Sequence, residues 1–167
     1  MTDKIEQLLS NLEHQDAPTR EDAAEALGQL GDPRAVEPLI GALGDPNWRV
    51  RRNAADSLGQ LGEARASEPL LSLLGDGVGD VNDSATYALI TLGEQRIISR
   101  LIEELDHPQV YLRYRAAYGL GKLGDASILS KLDYMAQNDT GEISKNDTVA
   151  KAAKHVAEEI RQRTTKT

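Results

Sequence analysis

The chain has 167 residues, 40% apolar and 28% charged, with a formal charge of −8, no cysteine and no phenylalanine. That composition excludes a disulfide framework, a thiolate metal site and a cysteine nucleophile, and the acidic balance opposes broad nucleic-acid affinity and adhesion to an anionic membrane. Met1 to Gln7 has no apolar run of signal-peptide type and no segment approaches a membrane span, so the expected setting is cytoplasmic.

Ile5, Leu8, Leu9 and Leu12 follow the i, i+3, i+4, i+7 spacing of one helical face and predict a first helix. A second helix is entered at Asp16, a side chain suited to an N-cap, with Pro18 at its start, where a missing N–H costs little. It carries Ala23, Leu27 and Leu30 and stops at Gly31. The pattern then restarts. Val36, Leu39, Ile40 and Leu43 form a helix with Pro38 in its first turn. After Pro46 and the N-cap Asn47 comes a helix whose inward stripe is Ala54, Ala55, Leu58 and Leu61, closed by Gly62. Leu70, Leu71 and Leu74, with Pro69, begin a third pair that continues through Ala85, Leu89, Leu92 and Gly93. Ile98, Leu101, Ile102 and Leu105 begin a fourth, continued by Ala116, Leu120, Leu123 and Gly124. Leu129 and Leu132 begin a fifth.

Leu27, Leu58, Leu89 and Leu120 are therefore copies of one position at a step of 31 residues. A period of this size means stacked supersecondary units, none able to bury its apolar face alone. The expectation is an all-α fold: a short right-handed α-solenoid, a superhelix of about five helix pairs. As one domain over 1–167, the pairs are 1–31, 32–62, 63–93, 94–124 and 125–163, with a polar tail at 164–167. Register breaks only after the fourth pair, where the loop Gln137 to Asp147 carries extra residues. The last helix is expected to place Ala152, Ala153 and Val156 where Ala116, Ala117 and Leu120 stand, a step of 36, and its charged surface fits a polar cap.

Three arginines also keep step, Arg20, Arg51 and Arg113, and with acids such as Asp45 they are expected to form a ladder between repeats. The third copy has Asn82 instead, after the glycine-rich stretch Gly75 to Asp83. That stretch does not match the spacing of an EF-hand calcium loop and reads as a flexible linker, a weak joint in the stack.

The run Val50-Arg51-x-x-Ala54-Ala55-x-x-Leu58-Gly59-x-Leu61-Gly62 resembles the HEAT-like repeat of the phycobilisome-lyase type. So do Gly31-Asp32-Pro33-Arg34-Ala35-Val36-Glu37-Pro38-Leu39-Ile40 and its echo Ala66-Ser67-Glu68-Pro69-Leu70-Leu71. The resemblance implies that the first helix of each pair is convex and the second lines a concave groove. With the shared leucines inward, the opposite side of each second helix is free to face a partner. It carries Glu21, Asp22 and Glu25 in the first pair, then Trp48, Arg49, Arg52, Asn53 and Asp56, then Asp83, Ser84 and Tyr87, then Tyr111, Tyr114, Arg115, Tyr118 and Lys122. Five of the six aromatic residues fall in this set, Tyr134 being the exception, although aromatics ordinarily supply core area.

Trp48, Arg49, Arg52, Tyr87, Tyr111, Tyr114, Arg115, Tyr118 and Lys122 are thus the candidate partner-binding residues, of types that dominate interface hot spots. The expected function is non-enzymatic: a scaffold that binds a protein or extended peptide, with no catalytic residue, metal or cofactor, no nucleic acid and no membrane, acting as a monomer. His14 and His107 stand three repeats apart and cannot share a metal. A HEAT-like hydroxylase would need His-Glu pairs where this chain has Glu21-Asp22, Arg52-Asn53, Asp83-Ser84 and Tyr114-Arg115, and that activity is rejected. The resemblance leaves two alternatives: a bilin lyase-like or phycobilisome-associated accessory subunit, and a DNA-binding HEAT-like protein, which the charge of −8 opposes.

Overall fold

A computed structural model describes residues 3–144 and 147–165. Among them are ten α-helices: α1 Lys4–Leu12, α2 Ala17–Leu30, α3 Val36–Ala42, α4 Trp48–Leu61, α5 Ser67–Leu73, α6 Gly79–Thr91, α7 Ile98–Glu104, α8 Val110–Leu123, α9 Leu129–Asn138 and α10 Val149–Thr164. The expected pairs are all present, and no described helix is long and apolar enough to cross a membrane. Sequence punctuation accounts for the helix ends. The carboxylate of Asp16 accepts from the Thr19 N–H, and the Asn47 side chain accepts from the Arg49 N–H. Gly31, Gly62 and Gly93 take φ of 69°, 71° and 76°, a left-handed turn that a β-carbon would strain. Gly124 departs from its copies: its backbone is extended, and it packs against Ile128.

The helices divide into two compact units, Met1–Glu94 and Gln95–Thr167. In the first, α2, α4 and α6 pack side by side, and α1, α3 and α5 back them. The shared positions form its core: Ala23, Leu27, Ala54, Leu58, Ala85 and Leu89 are buried, as are Val36, Leu39 and Leu70. Small residues set the helix spacing. A β-carbon on Gly28 would lie 2.3 Å from Ser57 Oγ, and one on Gly59 would lie 2.9 Å from the Ala88 Cα. Ser57 Oγ also donates 2.8 Å to the Ala24 carbonyl, so this close approach leaves the buried hydroxyl satisfied.

In the second unit, α8 packs on α7 and α10, and α10 on α9. Burial along α10 marks Val149, Ala153, Val156, Ala157 and Ile160, with Ala152 half-buried. Gly121 meets Val156, which stands where Ser57 and Ala88 stand in the first unit. The true register is therefore one residue longer than the expected step, Ala153 and Ala157 taking the places of Ala116 and Leu120. The extra residues before α10 fold as a small antiparallel pairing of β1 Glu142–Ser144 with β2 Asp147–Thr148.

The arginine ladder forms where its residues exist. Arg20 Nε and Nη2 donate to the two carboxylate oxygens of Asp45 at 2.6 and 2.9 Å, while Nη1 donates 2.8 Å to the His14 carbonyl. Arg51 repeats this on Asp76 at 2.7 and 3.0 Å and on the Asp45 carbonyl at 2.8 Å. Arg113 repeats it on Asp139 at 2.7 and 3.1 Å and on the His107 carbonyl at 2.8 Å. The acceptors also shape the backbone, since Asp45, Asp76 and Asp139 each take the N–H two residues ahead and close the turn before the next element. His14 and His107 do the same with Nδ1, each at 3.1 Å. Histidine can close that turn but cannot answer a bidentate guanidinium. At the donor position before His107 the chain has Asn82, whose side-chain amide donates to the Leu74 carbonyl. Donor and acceptor thus change together.

Candidate interaction surface

All the candidate residues but Arg115 take exposed or half-buried positions on second helices, and each unit presents its own group. In the first unit, Trp48 is half-buried at the start of α4, because Asn47 caps that helix and Val50 faces inward at 0% exposure. Arg49 is exposed, with Cζ 4.6 Å from the centroid of the Trp48 ring. Arg52, one turn on, brings its Cζ to 5.5 Å. Distances of this order are those of cation–π contact. Arg52 is oriented by Asn53, whose Oδ1 accepts from Nε at 3.2 Å and Nη2 at 3.0 Å, and it passes Glu21 at 3.9 Å. Tyr87 on α6 is half-buried. Asp56, further along α4, is exposed as a residue, and partial desolvation of its carboxyl raises it above the usual carboxylate range, against the pull of Ser84 and the Arg52 charge.

In the second unit, Tyr111 and Tyr118 on α8 are 43% and 44% exposed, and Lys122 Nζ lies 5.7 Å from the Tyr118 ring centroid. Tyr114, between them, is half-buried and donates 2.9 Å to the Asp147 carboxylate of β2. The segment leading into α10 therefore covers one of the three tyrosines and leaves the other two accessible. Its root is fixed: a β-carbon on Gly141 would lie 2.7 Å from Arg113 Nη2 and 2.8 Å from Val110 Cγ1. Beyond Lys122, a surface cavity of about 340 Å³ is lined by Gly121, Lys122, Glu159, Gln162 and Arg163. Tyr134 lies on α9, away from this face, and is 65% exposed.

Arg115 departs from the expectation. It is 1% exposed and belongs to a buried ion cluster, with Nη2 2.7 Å from Glu104 Oε2 and Arg100 Nε 2.9 Å from Glu104 Oε1. Two of its copies share that burial. Asn53 and Ser84 share its register position and are both 8% exposed. Asn53 Nδ2 donates to the Glu21 carbonyl of α2, and Ser84 lies beside Asp56 of α4. In α4 and α6 that position faces the second helix before it, a direction that the wheel of one isolated helix does not separate from solvent, and in α8 it turns toward Glu104 of α7. A polar residue recurring in one column was the available signal.

The profile of HEAT repeats matches residues 5–90. This chain belongs to the HEAT repeat family. The profile of the PBS lyase HEAT-like repeat matches residues 112–132, which include most of α8. Among solved structures, this HEAT-repeat chain is similar to the complex of CpcE and CpcF of phycocyanin lyase from Nostoc, with 26% identity and a TM-score of 0.66 over 92% of the chain. It spans 61% of that neighbour's length. An engineered protein matches 95% of the chain and 80% of its own length at 18% identity and TM-score 0.65. A computationally designed armadillo repeat protein for modular peptide recognition matches 93% of the chain and 82% of its own length at 18% identity and TM-score 0.62. The last two likenesses are of fold alone. No curated protein sequence matches.

Proposed function

We propose that this HEAT-repeat protein is a non-enzymatic docking module that binds a partner protein or an extended peptide on the outer faces of its second helices. The observation that carries this is the exposure of Tyr111 and of Tyr118, the latter beside Lys122, together with Trp48 beside Arg49, in a chain whose buried apolar residues include no aromatic among those described. Rigid aromatic area with a polar edge is the composition of interface anchors. Among the described residues, no three His, Cys, Asp or Glu side chains gather as a metal site, and the chemistry-bearing groups near these faces are already paired: Tyr114 with Asp147, Arg115 with Glu104. The test is a pull-down from a lysate of the source organism with wild type and with Trp48→Ala/Tyr111→Ala/Tyr118→Ala, both checked for helicity. A protein retained equally by the two would refute the assignment.

A second reading, an accessory subunit of a bilin lyase system, is favoured by the 26% identity to the phycocyanin lyase complex across 92% of the chain. A shifted bilin absorbance band on mixing supports it. An unchanged spectrum at tens of micromolar protein counts against it.

A further inference from the structure

Residues 1–94 hold 7 Lys and Arg against 17 Asp and Glu, so an arginine there has an excess of carboxylates from which to draw a partner. Arg20, Arg34, Arg51, Arg52 and Arg65 each lie within ion-pair distance of one. Arg49 makes no ion pair among the described residues and stands over an indole instead. Arg52 approaches the same ring, fixed by the neutral amide oxygen of Asn53, with its acid at 3.9 Å. Two guanidinium groups therefore approach one half-buried aromatic ring, and while Glu21 stands within ion-pair distance of Arg52, no described carboxylate does so for Arg49.

We propose that the Trp48–Arg49–Arg52 cluster receives a carboxylate-bearing segment of the partner, an acidic peptide whose apolar neighbour lands on Trp48. The proposal rests on the docking reading above and adds the chemistry of the occupant. Two cations that approach the same ring repel, and an anion bound by both offsets that cost. A planar guanidinium over a ring keeps its in-plane N–H groups for bidentate contact with a carboxylate. Phosphate could satisfy the same donors, but a polyphosphate chain would meet the surplus acids of this unit with no basic stripe to follow. A peptide needs only one or two acids at the cluster and can place neutral residues elsewhere. The second unit repeats the motif in small: Lys122 lies over Tyr118 and forms no ion pair among the described residues.

The experiment is selection from a random twelve-residue peptide library on the full chain, followed by titration of a selected peptide against the fluorescence of Trp48, the chain's single tryptophan. Enriched peptides should be rich in Asp and Glu, and their Kd should rise at least about tenfold in Arg49→Glu/Arg52→Glu, the scale of a lost charge-assisted contact. That variant should in turn select peptides rich in Lys and Arg. Arg49→Gln, a milder change at an exposed site, should weaken the same peptides in the same direction. Enriched peptides without acidic bias that are nevertheless lost in Trp48→Ala would overturn the acidic occupant and leave the docking face standing. Peptides indifferent to Trp48, Tyr111 and Tyr118 together would sink both. No enrichment over an unrelated helical protein overturns a peptide occupant. Tighter binding of a twelve-residue oligothymidylate, lost in Arg49→Glu/Arg52→Glu, assigns the cluster to phosphate.

Discussion

Replacing Arg51 by Ala tests whether the arginine ladder fastens one repeat to the next. The wild-type side chain gives Asp76 two hydrogen bonds, at 2.7 and 3.0 Å, and the Asp45 carbonyl one at 2.8 Å. Both charged partners are largely withdrawn from water, at 16% and 10% side-chain exposure. Removing one member of such a pair leaves the other poorly solvated. A fully buried pair loses about 3–5 kcal/mol, and the residual exposure here lowers the expectation to about 3 kcal/mol. For a chain of this length that corresponds to a fall in Tm of roughly 6–12 °C. Urea unfolding should be followed by circular dichroism for all helices and by Trp48 emission for α4, since repeat arrays need not unfold in one step. A double-mutant cycle with Asp76→Ala should return a coupling of about 2 kcal/mol. The exposed Arg34, 56% accessible in its pairs with Asp32 and Asp3, serves as the contrast, and Arg34→Ala should stay within about 0.5 kcal/mol. A loss below about 1 kcal/mol for Arg51→Ala, or equal losses at Arg51 and Arg34, would refute the fastening role.

Acid should release the same ladder. Hydrogen bonds from Arg51 hold Asp76 below the usual carboxylate range, as those from Arg113 hold Asp139. At Asp45, burial pushes upward and is outweighed by Arg20 and the Asn47 N–H. Depressed carboxylates contribute stability that is complete above about pH 4 and lost as pH falls through their folded values, whereas the raised Asp56 acts in the opposite sense. A Tm series from pH 7 to pH 2 should therefore be steepest below about pH 4 and flatter in Arg51→Ala/Asp76→Ala; parallel curves would contradict this. Gly59→Ala should destabilise, because an overpacking cost of about 1–3 kcal/mol meets a helix-propensity gain of about 1 kcal/mol. Gly41→Ala, with nothing within 4 Å of the new β-carbon, should stabilise by about 0.5–1 kcal/mol, and like signs in chemical denaturation would reject the spacing argument. The expected linker Gly75 to Asp83 shrinks to 74–78, since Gly79 to Asp83 lie in α6. Amide exchange at 74–78 is expected to be faster than in the other inter-helix loops, as Gly75 and Gly77 are exposed with no packed neighbour, and equal protection would remove the weak-joint reading.

Much of the fold was legible because a 31-residue period writes each structural role several times. Caps at Asp16 and Asn47, prolines in first turns, left-handed glycines and the ladder could all be read by comparing copies. What failed lay where copies are scarce or where one helix was considered alone. The last helix has no later copy to fix its phase, and Val156 meeting Gly121 shows it to be one residue off the expected step. The burial of Arg115 is not legible in α8 alone, since Asp22, the first copy, is exposed while Asn53, Ser84 and Arg115 are buried. The covering of Tyr114 by Asp147 depends on the inserted segment, which has no counterpart elsewhere in the chain.

The paired change of Asn82 and His107 separates modules that can be transplanted from those that cannot. The copy holding Asp45 and Arg51 carries both halves of the coupling, an acceptor for the guanidinium behind it and a donor for the carboxylate ahead. A duplicate of that segment, spliced in register after itself, would find matching groups at each seam, so the array could be lengthened there like a chain of identical links. A duplicate of the copy holding Asp76 and Asn82 would arrive with an acid and no arginine, and the protein's own sequence already answers that mismatch by exchanging aspartate for histidine.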